Sequence, residues 1–248
     1  MDAPSIKLPG EHFNTVLCTG DSANPRTITG VGFESDITWL KSRSQVASNQ
    51  VFDQVRGAGE VLYTNTSAAQ ATDDANGHIS AWTADGFTLS GSSTTNDVNG
   101  NTDTYVAWNW LAGGAPTDTN IATTGVMTSG SVFQDGVSNT SFTPGSTIYP
   151  NKISANTSSG FSIATWTGTG VAATIAHGLS EAPELVIAKS TTKASTNWAV
   201  GVLAGSANFT DFLILNSDAA IADDPIWNDI APTASLFSIG TDGSVNTS

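Results

Sequence analysis

The chain repeats itself. Phe13-Asn-Thr-Val-Leu-Cys18-Thr-Gly20 returns as Phe161-Ser-Ile-Ala-Thr-Trp166-Thr-Gly168, an offset of 148 (161 − 13). The same offset carries Gly30 onto Gly178, Lys41-Ser42 onto Lys189-Ser190 and Asn49 onto Asn197. Asp73-Asp74 falls on Asp223-Asp224 and Phe87 on Phe237 at 150, and Val98-Asn99 meets Val245-Asn246 at 147. Drift this small, confined to loops, leaves strand registers intact and predicts two superposable copies of one folding unit. A period this long excludes a solenoid, whose units run roughly 20–50 residues. One segment differs: the first copy continues into Tyr105-Val-Ala-Trp108-Asn-Trp110, and the second reaches Ser248 before any counterpart. An absent apolar closing strand leaves a sheet edge unfilled. Two explanations are expected: a sequence cut short of its natural end, or a gap filled by residues 114–160 or by an arm of another subunit.

Composition narrows the class. Charged residues are 12% of the 248, against an average near 25%, and Gly, Ser, Thr and Asn take their place. A neutral surface rich in hydroxyls and amides suits extracellular or virion β-proteins better than cytosolic enzymes. Against 22 Asp plus Glu stand 8 Lys plus Arg, for a net charge of −14. That field repels phosphate backbones, so no nucleic-acid partner is expected. The single cysteine, Cys18, falls opposite Trp166 in the repeat and reads as apolar packing. The first residues lack a basic and an apolar region of the export type. No run of about 18 apolar residues is present, so no membrane insertion is expected. Together these features suit a protein assembled in a host cytoplasm and carried outside in a virion.

The local pattern is β throughout. Ile37–Lys41, Val61–Thr64, Gly86–Leu89 and Tyr105–Trp110 are short runs rich in β-branched and aromatic residues, bounded by turn formers. Leu185–Lys189, Phe212–Leu215 and Leu236–Ile239 match them in the second copy. Strands at 8–12-residue spacing predict two tandem antiparallel β-sandwich units of jelly-roll type. The expected divisions are an N-terminal arm at 1–12, a first repeat at 13–113, a connector at 114–159, and a second repeat at 160–248 lacking its closing strand. The connector reads as irregular, with a hairpin involving Val126-Met127 and Val132-Phe133. Residues 66–76 and 217–224 read as single helical turns. Phe33, Trp39, Leu62, Phe87, Tyr105 and Trp108 are the expected core of the first copy, with Leu179, Ile187, Leu213 and Phe237 in the second.

The motifs resemble a known family. Ile28-Thr-Gly-Val-Gly-Phe33-x(2)-Asp36-x(2)-Trp39-x-Lys41, Asp53-x-Val-Arg56-Gly57, Asp85-Gly-Phe87-Thr-Leu89 and Tyr105-Val-Ala-Trp108-Asn-Trp110 stand in the first copy. Gly160-Phe-Ser-Ile163, His177-Gly-Leu179 and Ala182-Pro-Glu-Leu185-Val-Ile187-x-Lys189 stand in the second. This resembles a repeated β-domain of tail-fibre, receptor-binding and other virion proteins of marine bacteriophages. The resemblance implies a lectin-like sandwich in a virion appendage and brings no catalytic residues with it. Two departures stand out: Asp53-x-Val-Arg56-Gly57 has no equivalent at Gly201–Gly205, and the Tyr-Val-Ala-Trp strand is absent from the second copy.

The expected function is therefore a non-enzymatic virion subunit of a tail fibre or surface appendage. Its expected partners are copies of itself or other virion proteins, with a host surface glycan as a further ligand. A lectin-like receptor-binding module and a glycan-cleaving depolymerase are the alternatives. Asp73, Asp74, Asp223 and Asp224 are candidate calcium ligands, because adjacent carboxylates suit the oxygen shell of a hard cation. The same pairs also read as turn or N-cap residues. Trp82 and Trp227 are candidate glycan contacts among Trp82, Trp108, Trp110, Trp198 and Trp227. Trp108 and Trp110, at i and i+2, read as packing on one strand face. Arg56 pairs most simply with Asp53 in a structural salt bridge. No nucleophile elbow, metalloprotease helix or phosphate loop is present, and His12, His78 and His177 are scattered. A carboxylate pair for glycoside hydrolysis leaves no spacing signature.

Overall fold

The computed structural model describes residues 9–91, 98–203 and 209–247. The first copy contains β1 (Phe13–Thr19), β2 (Arg26–Thr29), β3 (Ile37–Ser42), β4 (Gln50–Asp53), β5 (Glu60–Tyr63) and β6 (Ala71–Thr72), then β7 (His78–Thr83), β8 (Gly86–Ser90) and β9 (Thr104–Trp110). A six-stranded sheet, β1-β9-β3-β4-β5-β6, faces a three-stranded one, β2-β8-β7. Alternation puts Leu40, Phe52, Val61, Tyr105 and Ala107 of the large sheet against Ile28, Ile79, Phe87 and Leu89 of the small one. Each such side chain contributes roughly 1.5–3 kcal/mol on burial.

Residues after β9 were expected to be irregular, but they carry β10 (Val132–Gln134), β11 (Val137–Ser138) and β12 (Lys152–Asn156). The hairpin is β10–β11, and Val126-Met127 is not part of it. Its sheet runs β11-β10-β12-β13, where β13 (Phe161–Thr165) opens the second copy. Then come β14 (Ala173–Ala176), β15 (Leu185–Ala188), β16 (Ala199–Val202), β17 (Asp211–Ile214), β18 (Ala222–Asp223) and β19 (Leu236–Ile239). A short 3-10 turn, Pro225–Trp227, stands where the first copy has β7. The expected helical turns at 66–76 and 217–224 hold strands and turns instead, β6 and β18 among them. Pairing with β5 and β17 satisfies their backbone groups better than one isolated turn would.

The copies agree pair by pair. Ile37 faces Asp53 and Leu40 faces Gln50; Leu185 faces Val202 and Ala188 faces Ala199. Ile28 opposes Phe87 as Ile175 opposes Phe237. Asn65 Oδ1 accepts from the Asn49 N–H (2.9 Å), and Asn216 Oδ1 accepts from the Trp198 N–H (2.8 Å). Asn49 therefore matches Trp198 rather than Asn197. Glu60 faces Thr72 and Asp211 faces Asp223, so Asp73 matches Asp224, one residue away from the sequence alignment.

A buried asparagine locks each copy. Asn99 Oδ1 accepts from the Asp21 N–H (3.2 Å), and its amide donates to the Ala23 carbonyl (2.9 Å). Asn246 Oδ1 accepts from the Thr169 N–H (2.8 Å), and its amide donates to the Val171 carbonyl (2.7 Å). The adjoining glycine allows this close approach. A Cβ at Gly20 would lie 1.9 Å from the Gly100 carbonyl oxygen, and one at Gly168 2.3 Å from that of Thr247.

Burial follows the expected core with two corrections. Leu62, Phe87, Tyr105 and Phe237 are buried, while Phe33, Trp39, Trp108 and Leu179 are half-buried. Ile187 is 42% exposed and Leu213 36%. Trp39, in the register place of Ile187, is covered edge-on by Trp108 of β9 (6.0 Å), and among the described residues no strand takes that place beside β15. Leu62, in the place of Leu213, lies on a strand capped by Trp198, whose indole N–H donates to the Tyr63 carbonyl (2.9 Å).

The two copies are in direct contact. The Trp110 and Phe161 rings stack at 6.0 Å, and the Gln70 N–H donates to Thr191 and the Ser195 N–H to Ser67, both at 2.9 Å. At the joint, a Cβ on Gly113 would fall 2.3 Å from the Phe133 carbonyl oxygen and 2.4 Å from that of Ala155.

Candidate binding surfaces

Asp73 and Asp74 act as turn residues. Asp73 takes a left-handed backbone (φ 47°), its N–H donates to the Gly59 carbonyl (3.0 Å), and its Oδ1 lies 3.6 Å from His78 Nε2. Asp74 accepts from the Asn76 N–H (2.8 Å) and from the Tyr63 hydroxyl. Asp223 lies exposed in β18, and Asp224 precedes the 3-10 turn without a side-chain capping bond. The two pairs sit in different copies. Among the described residues, no group of three or more His, Cys, Asp or Glu side chains stands where it would hold a metal ion.

The reading of Trp227 is corrected. Trp227 is fully buried, edge-on to Phe209 at 5.8 Å in the second core, so it offers no face to a sugar. Trp82 lies on strand β7, half-buried against the first core with its indole nitrogen enclosed. Aromatic rings facing the core gain more from packing than from a wet platform.

Arg56 forms the ion pair read from the sequence. Its Nε donates to Asp53 Oδ2 (2.5 Å), Nη2 to the Val51 carbonyl (2.9 Å) and Nη1 to Gln70 (3.2 Å), with both charged side chains almost wholly buried. Nearby is a carboxylate that sequence reasoning quoted but did not single out. Asp36 is buried, and that burial pushes its carboxyl up to about 6 against the pull of the Ala112 and Gly114 N–H groups it accepts (2.7 and 3.3 Å). A raised carboxyl is a mark of active sites. Asp36, though, is sealed from solvent and spent on the chain leaving β9.

Two sheet edges differ between the copies. A strand residue points its N–H and C=O to one side. In β1, the flanking His12 carbonyl accepts from the Leu111 N–H (2.8 Å) and the Gly20 N–H donates to Asp103 (2.7 Å), so even-numbered positions face β9. In β13, the Thr165 carbonyl accepts from the Asn151 N–H (2.6 Å), so odd-numbered positions face β12. Strand β12 thus lies on the side of β13 that is bare in β1. The side that carries β9 in the first copy, faced by Ser162 and Ala164, has no strand among the described residues. Strand β15 is open likewise. The Leu203 N–H donates to Glu184 (2.8 Å), so even positions face β16 while Leu185 and Ile187 face the vacancy, at 54% and 42% exposure. In the first copy β9 joins the matching edges of β1 and β3. Each copy covers an edge that the other leaves open.

A cleft of about 400 Å³ lies where the copies meet, lined by His12, Phe13, Trp110, Ser158, Ser159 and Phe161. Phe13 and Phe161 both pack on Trp110 (4.9 and 6.0 Å). His12 Nδ1 is buried there with no hydrogen-bond partner among the described residues.

The model of the DUF7483 family, described as a domain of unknown function, matches residues 8–143 and again residues 131–248, and the chain belongs to this family. The stretch shared by the two matches holds the β10–β11 hairpin. No curated protein and no solved structure matches the chain.

Proposed function

We propose that this tandem pair of DUF7483 copies is a non-enzymatic structural subunit of a virion appendage, such as a tail fibre, and that it assembles through its bare sheet edges. The observation that carries the reading is β1. Among the described residues its outer edge is unpaired and presents Leu17 at 62% exposure, while the same edge of β13 is covered by β12. An edge that accepts an added strand in one copy is built to accept one in the other, and a second copy of the chain is the occupant. The low-charge, hydroxyl-rich composition and the resemblance to marine phage virion domains support the setting. Sedimentation equilibrium tests it: the chain associates at micromolar concentration, and Leu17→Lys reduces that association tenfold or more. A chain that stays monomeric through hundreds of micromolar overturns the reading.

A second reading has one observation in its favour. The cleft between the copies sets the Phe13 and Phe161 rings beside His12 and two serines, a mixture that suits a host glycan. Titration with host surface polysaccharide tests it, with Phe13→Ala abolishing the binding; affinity unchanged by that substitution sinks it.

A further inference from the structure

We propose that His177 is a pH-operated latch, which while neutral holds the turn after β14 against the turn before β19 and on acidification releases both. This goes beyond the structural reading above and does not depend on it. The motif His177-Gly-Leu179 gave the histidine no task, and the structure buries it at 4% exposure. Both ring nitrogens are in use. The Leu179 N–H can only donate, so Nδ1 accepts (3.1 Å). The Thr233 carbonyl can only accept, so Nε2 carries the hydrogen and donates (3.1 Å). One neutral tautomer fits these partners. A proton added at Nδ1 sets two donors against each other and breaks the bond to Leu179.

The first copy closes the same place differently. There Asp85 stands two residues ahead of Phe87, and its carboxylate accepts from the Gly30 N–H (3.1 Å) and the Gly32 N–H (2.7 Å). The second copy has Ser235 two residues ahead of Phe237, with no carboxylate, and His177 reaches across from the other strand instead. What the latch holds down is apolar. The Gly178 carbonyl accepts from Gln134 of β10 (2.8 Å), and a Cβ on Gly178 would lie 2.9 Å from side-chain carbons of Ala155 and Ile153 in β12. Leu179 packs on the core of Met127, Val132, Ile153, Ala155 and Ala176. Opening the turn uncovers that core.

Among the described residues no charged side chain acts on the imidazole. Lys152 of β12, Glu181 and Glu184 beyond the turn, and Asp229 ahead of Thr233 form no ion pair with it. Burial holds its proton affinity below the ordinary histidine value, against the pull of the Thr233 carbonyl. The unfolded chain therefore takes the proton more readily than the fold does. The latch is fully set above a pH of about 6.5 and is lost as pH falls below it. Asp36 in the first copy titrates over the same range with the opposite sign, so the readout must be local.

Amide hydrogen exchange of the full chain, corrected for the intrinsic rate at each pH, reads the latch. Leu179 protection should fall about tenfold or more between about pH 7.5 and pH 5, while Gly32 of the first copy keeps its protection. His177→Asn leaves an acceptor within reach of the Leu179 N–H and does not titrate, so its Leu179 protection should stay flat over that range. Nitrogen-15 spectra of the unaltered chain give a second check that needs no variant. At neutral pH His177 should show a protonated Nε2 and a bare Nδ1. The opposite tautomer or a charged ring at neutral pH overturns the latch. So does Leu179 protection that is unchanged in acid, or that falls equally in His177→Asn. A loss at Gly32 in step with Leu179 also overturns it, because the whole fold is then opening.

Discussion

Trp166 takes in the second copy the place that Cys18 holds in the first, and its ring packs on Phe237 beside the site where Tyr105 would have closed the core. The larger ring packs against the core of the second copy. Reciprocal substitutions separate this from accident. Trp166→Cys should cost about 3–5 kcal/mol by opening a cavity. Cys18→Trp should cost about 1–3 kcal/mol by crowding Tyr105. Urea denaturation of both variants checks the pair, and a neutral Trp166→Cys would contradict it.

The asparagine locks predict matched losses. Asn99→Ala and Asn246→Ala each strand backbone groups of the loop after β1 or β13, at about 1–3 kcal/mol per buried unsatisfied group. Thermal unfolding should therefore drop in both variants by a comparable amount. A large effect in one copy and none in the other would mean that the locks are not equivalent.

Asp36 sets a pH dependence. Burial raises its carboxyl to about 6 from 3.8, so the fold binds this proton more tightly than the unfolded chain does. Its contribution is complete below pH 4 and is lost as pH rises through 6. The loss is on the order of 3 kcal/mol, about two pH units at roughly 1.4 kcal/mol each. Relative to the parent chain, Asp36→Asn should gain stability as pH goes from 4 to 7. Parallel unfolding curves at every pH would refute this.

The Arg56–Asp53 pair is the buried ion pair of the first copy. Arg56→Ala leaves Asp53 enclosed without its partner, at a cost of about 3–5 kcal/mol. Removing Asp53 as well should cost less than the two single losses added together. A double-mutant cycle reads this directly, and strict additivity would show that the contact carries no coupling.

The duplication, the strands and the Arg56 pair were legible because each rests on local pattern: alternation, turn formers and a fixed offset. The fate of the tryptophans was not. Trp82 and Trp227 stand near aspartates in sequence, but which face of an element a ring occupies depends on what lies across the core, and sequence spacing does not contain Phe209. Strand β12 was missed because Lys152-Ile-Ser-Ala-Asn156 is short and has one large apolar residue; its place beside β13 comes from pairing. Ile187 and Leu213 looked like core because their partners in the first copy are. Among the described residues, no counterparts of Trp108 and Trp198 lie beside them.

Gly113 leaves no space for even a methyl group between the carbonyls of Phe133 and Ala155, so at this point the joint between the copies is closed like the inside of a domain. Tandem repeats joined by loose spacers behave as beads on a string and can be lost, gained or shuffled one at a time. This pair cannot be parted without building a new joint. Load applied to one copy passes straight into the other, and evolution must accept or reject the two together.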